Sequence, residues 1–224
     1  MKVIINQPFG VGDVLFLSPL VANLDIKHAV WPVVDHYYWV KDYINIDNLT
    51  FVKSSEFDST KYNDYVEVPL QHAHSLVPQA EDCMKAKYML LEADPELWRT
   101  LSFTRNKTKE EQLKQYLNIN LEDKFIFVNN NFAGPEYNYK IDIELQTDLK
   151  IIYQEYIDGF TLLDWCGVLE QAEEIHTVST AIFFVIEALK LEKTPLHLYP
   201  RKPLDKDLSP IKTLINNKKW ICHE

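Results

Sequence analysis

Two short loops of this 224-residue chain hold residue types that can do chemistry. The first is Gln7-Pro-Phe-Gly-Val-Gly-Asp13. Two of the chain's five glycines, Gly10 and Gly12, lie here, and glycine permits positive φ and close approach of a ligand to the backbone. Asp13 is the only acid in the loop. The run is neither a complete G-x-G-x-x-G nor a P-loop, since no Gly-Lys-Ser/Thr follows, and it also reads as a tight turn with Asp13 as N-cap. The second loop is His176-Thr-Val-Ser-Thr180, between an apolar strand and an apolar helix. A helix N-terminus offers unpaired N–H groups and partial positive charge. With the hydroxyls of Ser179 and Thr180 added, it suits an anion such as a diphosphate, or the hydroxyls are plain caps.

Further candidates surround these loops. Glu187 is the one carboxylate on the otherwise apolar helix after Thr180, placed to meet a ribose hydroxyl or to reach the helix edge. The loop Asn130–Lys140 leaves an apolar strand and carries Gly134, Tyr137, Tyr139 and Lys140, whose ammonium can neutralise phosphate as a point charge. His72-x-His74 has the spacing that puts two rings on one face of a strand. No third ligand accompanies them and there is no Asp-x-Asp run, so the sequence offers no convincing metal cluster. Cys83, Cys166 and Cys222 lie far apart without zinc or redox spacing, as expected of reduced thiols in a cytoplasmic protein.

In open α/β sheets ligands gather at the carboxyl ends of strands, so the elements that flank these loops matter. Lys2–Asn6, His28–Val34, Leu49–Val52 and Tyr62–Val68 read as strands. Asp13–Leu24, Tyr37–Ile44 and Ser75–Ala93 read as helices. Residues 105–124 are polar, with Leu113, Tyr116 and Leu117 as a narrow apolar stripe, and predict one amphipathic helix flanked by linker. That segment sets a boundary between domains 1–120 and 121–224. Alternation then restarts with strands at Phe125–Asn129, Glu174–Val178 and Leu196–Tyr199. Helices are predicted at Thr161–Ala172, where Thr161 and Asp164 have capping-box spacing, at Thr180–Lys190 and at Asp207–Asn217. Lys150–Tyr156 fits either element. The pattern predicts βαβ units: an α/β protein of two lobes with mostly parallel sheets and a cleft between them.

Composition narrows the function classes. The chain is 46% hydrophobic and 25% charged, ordinary for a globular protein. No apolar run approaches the length of a membrane span, and Met1–Asn6 reads as a strand rather than the start of a signal peptide. Net charge is −10, spread over both halves: 12 basic against 16 acidic residues in 1–120, and 11 against 17 in 121–224. Phosphate-dominated nucleic-acid binding favours a basic protein, so a nucleic-acid partner is disfavoured. Arg99, Arg105, Lys107 and Lys109 form the best basic patch.

Taken together, KVIINQPFGVGDVLFLSPLVANL, with Gly12-Asp13 and Pro19, resembles the opening of the heptosyltransferase-type glycosyltransferases. The run DGFTLLDWCGVLEQAEEIHTVSTAIFFVIEALKLEKTPLHLYP is similar to that family's second lobe at Gly159, Thr161-Leu162, Ala172-Glu173, Ser179-Thr180, Ala188-Leu189 and Tyr199-Pro200. It departs at Ser179, Ala181 and Phe184, where the family carries Asp-Ser/Thr-Gly and a helical histidine. The resemblance implies a GT-B architecture: two Rossmann-like lobes, acceptor on the N-terminal one, nucleotide-sugar donor on the C-terminal one. It implies inverting, metal-independent transfer with no cofactor beyond the nucleotide-sugar co-substrate. Asp13 is then the general base. Donor-binding candidates are Gly12, Asn130, Lys140, Gly159, Thr161, Ser179, Thr180 and Glu187; acceptor-side candidates are Gly10, His72 and His74. The implied acceptor is a saccharide or lipid-linked glycan. A hydroxymethylated DNA base is the alternative acceptor, and a nucleotide-sugar epimerase or a non-catalytic nucleotide-sugar binder are the alternative functions.

Overall fold

Both halves of the chain are Rossmann-like parallel α/β units, as the alternation of elements predicts. The computed structural model describes residues 1–8, 10–132, 139–202, 208, 211, 214–215 and 219–223. The chain divides into Met1–Thr104 and Arg105–Glu224, ahead of the expected 120/121 boundary. The helix at 107–116 packs with the second unit because the Arg105 guanidinium grips Glu110 and Glu170. Among the described residues no helix is long and apolar enough to cross a membrane. None of the three cysteines is in a disulfide, and burial pushes the Cys166 thiol up to about 12.

In the first unit, β1 (Lys2–Ile5), α1 (Val11–Ala22), β2 (His28–Val33), β3 (Leu49–Lys53) and β4 (Val66–Val68) build a four-stranded parallel sheet in the order β3-β2-β1-β4. Val14 through Val21 of α1 are all buried, which fixes this helix on the sheet. The expected Tyr62–Val68 strand shortens to β4, because Tyr65 N–H turns back to the Tyr62 carbonyl at 2.9 Å. The expected Ser75–Ala93 helix breaks into α2 (Ala73–Leu76) and α3 (Cys83–Met89). Pro78 lacks an N–H to continue α2. Asp82 restarts the chain as a helix by accepting from Met84 N–H and Lys85 N–H, both at 2.8 Å.

The second unit runs α4 (Lys107–Tyr116), β5 (Phe125–Asn129), the short antiparallel pair β6 (Asn131–Phe132) and β7 (Tyr139–Lys140), then β8 (Lys150–Tyr153) and α5 (Cys166–Gln171). It continues through β9 (Glu174–Val178), α6 (Ala181–Leu189), β10 (Leu196–Tyr199) and β11 (Trp220–Cys222). The sheet order is β11-β10-β9-β5-β8, all parallel. Register aligns Ile152, Phe127, Ile175, Leu196 and Trp220 in one buried apolar row across it. Trp165, at the start of α5, and Phe183, on α6, lie against Phe127 and Trp220 of this row, so it marks the helix-covered face. Thr161 and Asp164 form the expected capping box, opening a 3-10 turn at Leu162–Trp165 that leads into α5. β11 was not foreseen; the expected Asp207–Asn217 helix falls largely outside the described residues.

Candidate functional site

The first loop is shaped by Gly10. It occupies the N-cap position of α1 with φ +81°, and its carbonyl accepts from Asp13 N–H at 3.0 Å and Val14 N–H at 3.2 Å. Asp13 is therefore inside the first turn and is not the N-cap. Its carboxylate takes an ion pair from Lys87 on α3. Tyr88, next along α3, donates its hydroxyl to the Phe16 carbonyl at 2.6 Å and packs edge-on against the Phe16 ring at 4.9 Å. That anchor holds α3 against α1 and so delivers the Lys87 ammonium to Asp13. A Cβ on Gly10 would stand 2.9 Å from the other Asp13 oxygen, Oδ2. The loop before it is tied down by Trp31 Nε1–H, which donates to the Gln7 carbonyl at 3.0 Å. Phe9 lies outside the described residues; Gly12 sits in the first turn of α1.

His72 and His74 do not share a strand face. His72 ends a 3-10 turn and His74 lies in α2, where residues two apart point to different sides. Both rings are exposed. Gln71 N–H donates to the Asn6 carbonyl at 3.0 Å, which lays this turn beside the loop leading to Gly10.

In the second unit, polar side chains converge at the carboxyl ends of β5 and β9. Asn129 Nδ2 donates to Thr177 Oγ1 at 3.0 Å and to Thr180 Oγ1 at 2.9 Å. Asn131 Nδ2 donates to the Gln154 carbonyl at 2.7 Å. Thr180 stands at the N-cap position of α6, yet no side chain caps this helix. Ser179 Oγ and Asn131 Oδ1 are buried without a hydrogen-bond partner among the described residues. Unsatisfied buried polar groups are rare in folded proteins, so each of these two atoms calls for an explanation. Asn129 and Asn131 were missed in the sequence, although the Asn129-Asn-Asn131 run at a strand's end was a visible signal.

The other donor-side candidates spread out. Asn130 donates its amide to the Ile141 carbonyl at 3.0 Å and pins the loop's return. Lys140 is exposed and, with Tyr199, Lys202 and His223, lines an open pocket of about 450 Å³. Gly134 and Tyr137 lie outside the described residues. Gly159 has φ +82°, and its carbonyl accepts from Lys109 Nζ at 2.6 Å. Thr161 serves the capping box. Glu187 lies toward the C-terminal end of α6, away from Ser179, and accepts from Trp220 Nε1–H at 2.6 Å. The basic patch is neutralised locally: Arg99 pairs with Glu96, Arg105 with Glu110 and Glu170, and Lys107 with Glu110.

One cluster went unrecognised in the sequence. Glu174, His176 and His197 bring three ligand-type atoms within 4.8 Å of one another, the one such group among the described residues. His176 and His197 were invisible as a pair because the β9–β10 register that aligns them is a tertiary fact.

No family model and no curated protein matches the chain. Among solved structures, it is similar to a glycosyl transferase family 9 protein from Veillonella parvula DSM 2008, with a TM-score of 0.48 and 10% identity over 88% of this chain and 80% of that one. It is also similar to E. coli heptosyltransferase WaaC with ADP, with a TM-score of 0.41 and 12% identity over 89% and 87% of the two chains. A second WaaC structure, with ADP-2-deoxy-2-fluoro heptose, gives a TM-score of 0.39 and 11% identity over 100% and 93%. These solved likenesses are glycosyltransferases.

Proposed function

We propose that this protein is a glycosyltransferase that moves a sugar from a nucleotide-activated donor to an acceptor hydroxyl. The observation that carries the reading is the start of α6. Ser179 Oγ is buried and unpaired, Thr180 is held by Asn129 rather than capping, and the helix has no side-chain cap. First-turn N–H groups with the partial positive end of a nine-residue helix form an anion site at the carboxyl edge of a parallel sheet. The donor diphosphate is assigned there. Lys140 and Lys202 stand in the pocket beside the end of β10 and offset further phosphate charge.

The assigned chemistry is a single displacement. The acceptor oxygen bonds to the anomeric carbon as the bond from that carbon to the diphosphate oxygen breaks, with inversion, and the nucleoside diphosphate leaves. Asp13 takes the acceptor proton. Lys87 fixes one carboxylate oxygen, leaving Oδ2 beside Gly10. No metal is assigned a part in these steps. Incubating the protein with a panel of nucleotide sugars, with and without acceptor saccharides, tests the reading. A transferase releases nucleoside diphosphate slowly alone and faster with the right acceptor. Interconversion of sugar isomers without release would make it an epimerase, and binding with neither reaction a non-catalytic module.

A further inference from the structure

The face of the second sheet opposite the Phe127–Trp220 row carries an unusual side-chain set. Register alternation puts Glu174, His176, His197 and Tyr199 on it, together with His223 just past β11. His176 and His197 are direct cross-strand neighbours whose rings stack at 4.2 Å with 16° between planes. Glu174 Oε1 lies 2.8 Å from His176 Nε2 and 2.9 Å from His197 Nε2. Two imidazole nitrogens and a carboxylate oxygen thus meet at one point. Ligands at zinc bond lengths stand roughly 3–3.4 Å apart around the ion, and the stacked rings must turn toward each other for both Nε2 lone pairs to converge on one.

The outer nitrogens are also held. His176 Nδ1 is 2.9 Å from the Tyr199 hydroxyl, and His197 Nδ1 is 2.9 Å from His223 Nε2. A metal-ligating histidine needs such a partner on its second nitrogen to fix tautomer and ring orientation. A phenol hydroxyl and an imidazole can each donate or accept. The network therefore supports Nε2–H tautomers that donate to Glu174, and, once a cation stands between the three atoms, Nδ1–H tautomers that turn both Nε2 lone pairs to it.

We propose that Glu174, His176 and His197 bind a divalent transition ion of the zinc class, which clamps β9 to β10. Two imidazoles and one carboxylate select such an ion over magnesium or calcium, which prefer all-oxygen sets. Three protein ligands leave a coordination position for water. Because the ion joins two strands, its effect is on the stability of this unit, a readout separate from sugar transfer.

The test uses the untagged full chain, stripped with chelator and titrated with Zn²⁺, with Co²⁺ as a spectroscopic probe and Mg²⁺ as a hard-ion control. The expected result is one Zn²⁺ per chain, a Co²⁺ visible spectrum of low-symmetry coordination, no Mg²⁺ binding, and a melting temperature that rises with Zn²⁺. Glu174→Gln and His197→Asn, at partly exposed positions, should each weaken Zn²⁺ on the order of 100-fold. His36→Asn, in the other unit, should leave it unchanged. The wild-type protein gives an independent check: nitrogen NMR must show His176 and His197 with Nε2 metal-bound and Nδ1 protonated once Zn²⁺ is added. A folded wild type without stoichiometric Zn²⁺ binding would overturn the proposal. So would equal affinity in folded Glu174→Gln and His197→Asn variants, or histidine signals unmoved by the ion.

Discussion

Asp13→Asn should destabilise the first unit, and Lys87→Met should rescue it. Had Asp13 been the N-cap, asparagine would have replaced it at little cost; Gly10 takes that position instead. The Lys87 side chain is 9% exposed and that of Asp13 26%. Losing the carboxylate leaves an ammonium nearly buried without a counter-charge. Breaking a fully buried pair costs about 3–5 kcal/mol. Water reaching the Asp13 side relieves part of that, so about 2–3 kcal/mol is expected here. Lys87→Met keeps the packing of the aliphatic stem and leaves a carboxylate that can still be hydrated, costing about 1 kcal/mol. The double variant carries neither charge and should lie near Lys87→Met alone, so the two costs are non-additive by about 2–3 kcal/mol. Urea unfolding followed by tryptophan fluorescence reads the differences; with slopes of about 1–3 kcal/mol per M, Asp13→Asn should lower the midpoint by about 1 M or more. Asp13→Asn as stable as Lys87→Met, with no rescue in the double variant, would refute the reasoning.

Three further outcomes follow from the same geometry. Gly10→Ala places a Cβ at positive φ and 2.9 Å from Asp13 Oδ2, and should cost about 1–3 kcal/mol while lowering turnover, read by melting and by initial rates. Arg105→Met strands Glu110, whose side chain is 2% exposed, and should destabilise the second unit by about 2–4 kcal/mol, less than a full buried pair because Lys107 also reaches Glu110. Hydrogen bonding from Arg105 holds the Glu170 carboxyl below its ordinary value, so its contribution is present above about pH 4.3 and is lost as pH falls through the folded value; melting curves between about pH 2 and 6 should show a flatter acid arm in Arg105→Met. Lys140→Ala, at an exposed position, should leave the melting temperature alone and raise the donor KM or lower turnover.

Much of the scaffold was legible in the sequence. Phe125–Asn129, Glu174–Val178 and Leu196–Tyr199 form strands with the expected bounds, because each is a short, largely apolar run closed by polar or turn residues. Trp220–Cys222 is too short to announce itself; it exists because β10 offers a free edge and Trp220 packs on Phe183. The break in Ser75–Ala93 was written in Pro78 and Asp82, signals outweighed by the helical composition around them. Of the site, the two loops could be located, but their chemistry depends on long-range partners. Lys87 reaches Asp13 and Asn129 reaches Thr180 only because separate elements bring them together, and no local spacing encodes that.

The measurement that bears most directly on the proposed function is calorimetric titration of a panel of nucleotide sugars into the wild-type protein and Ser179→Ala. Ser179 Oγ has no hydrogen-bond partner among the described residues, so its removal should hardly disturb the fold, and melting temperatures should agree within a few degrees. The expected result is saturable 1:1 binding of one class of nucleotide sugar to the wild type, weakened about tenfold when the hydroxyl that meets the diphosphate is lost. A folded wild type that binds none of the panel, or a Ser179→Ala protein that binds the donor as tightly as wild type, would contradict a donor site at the start of α6.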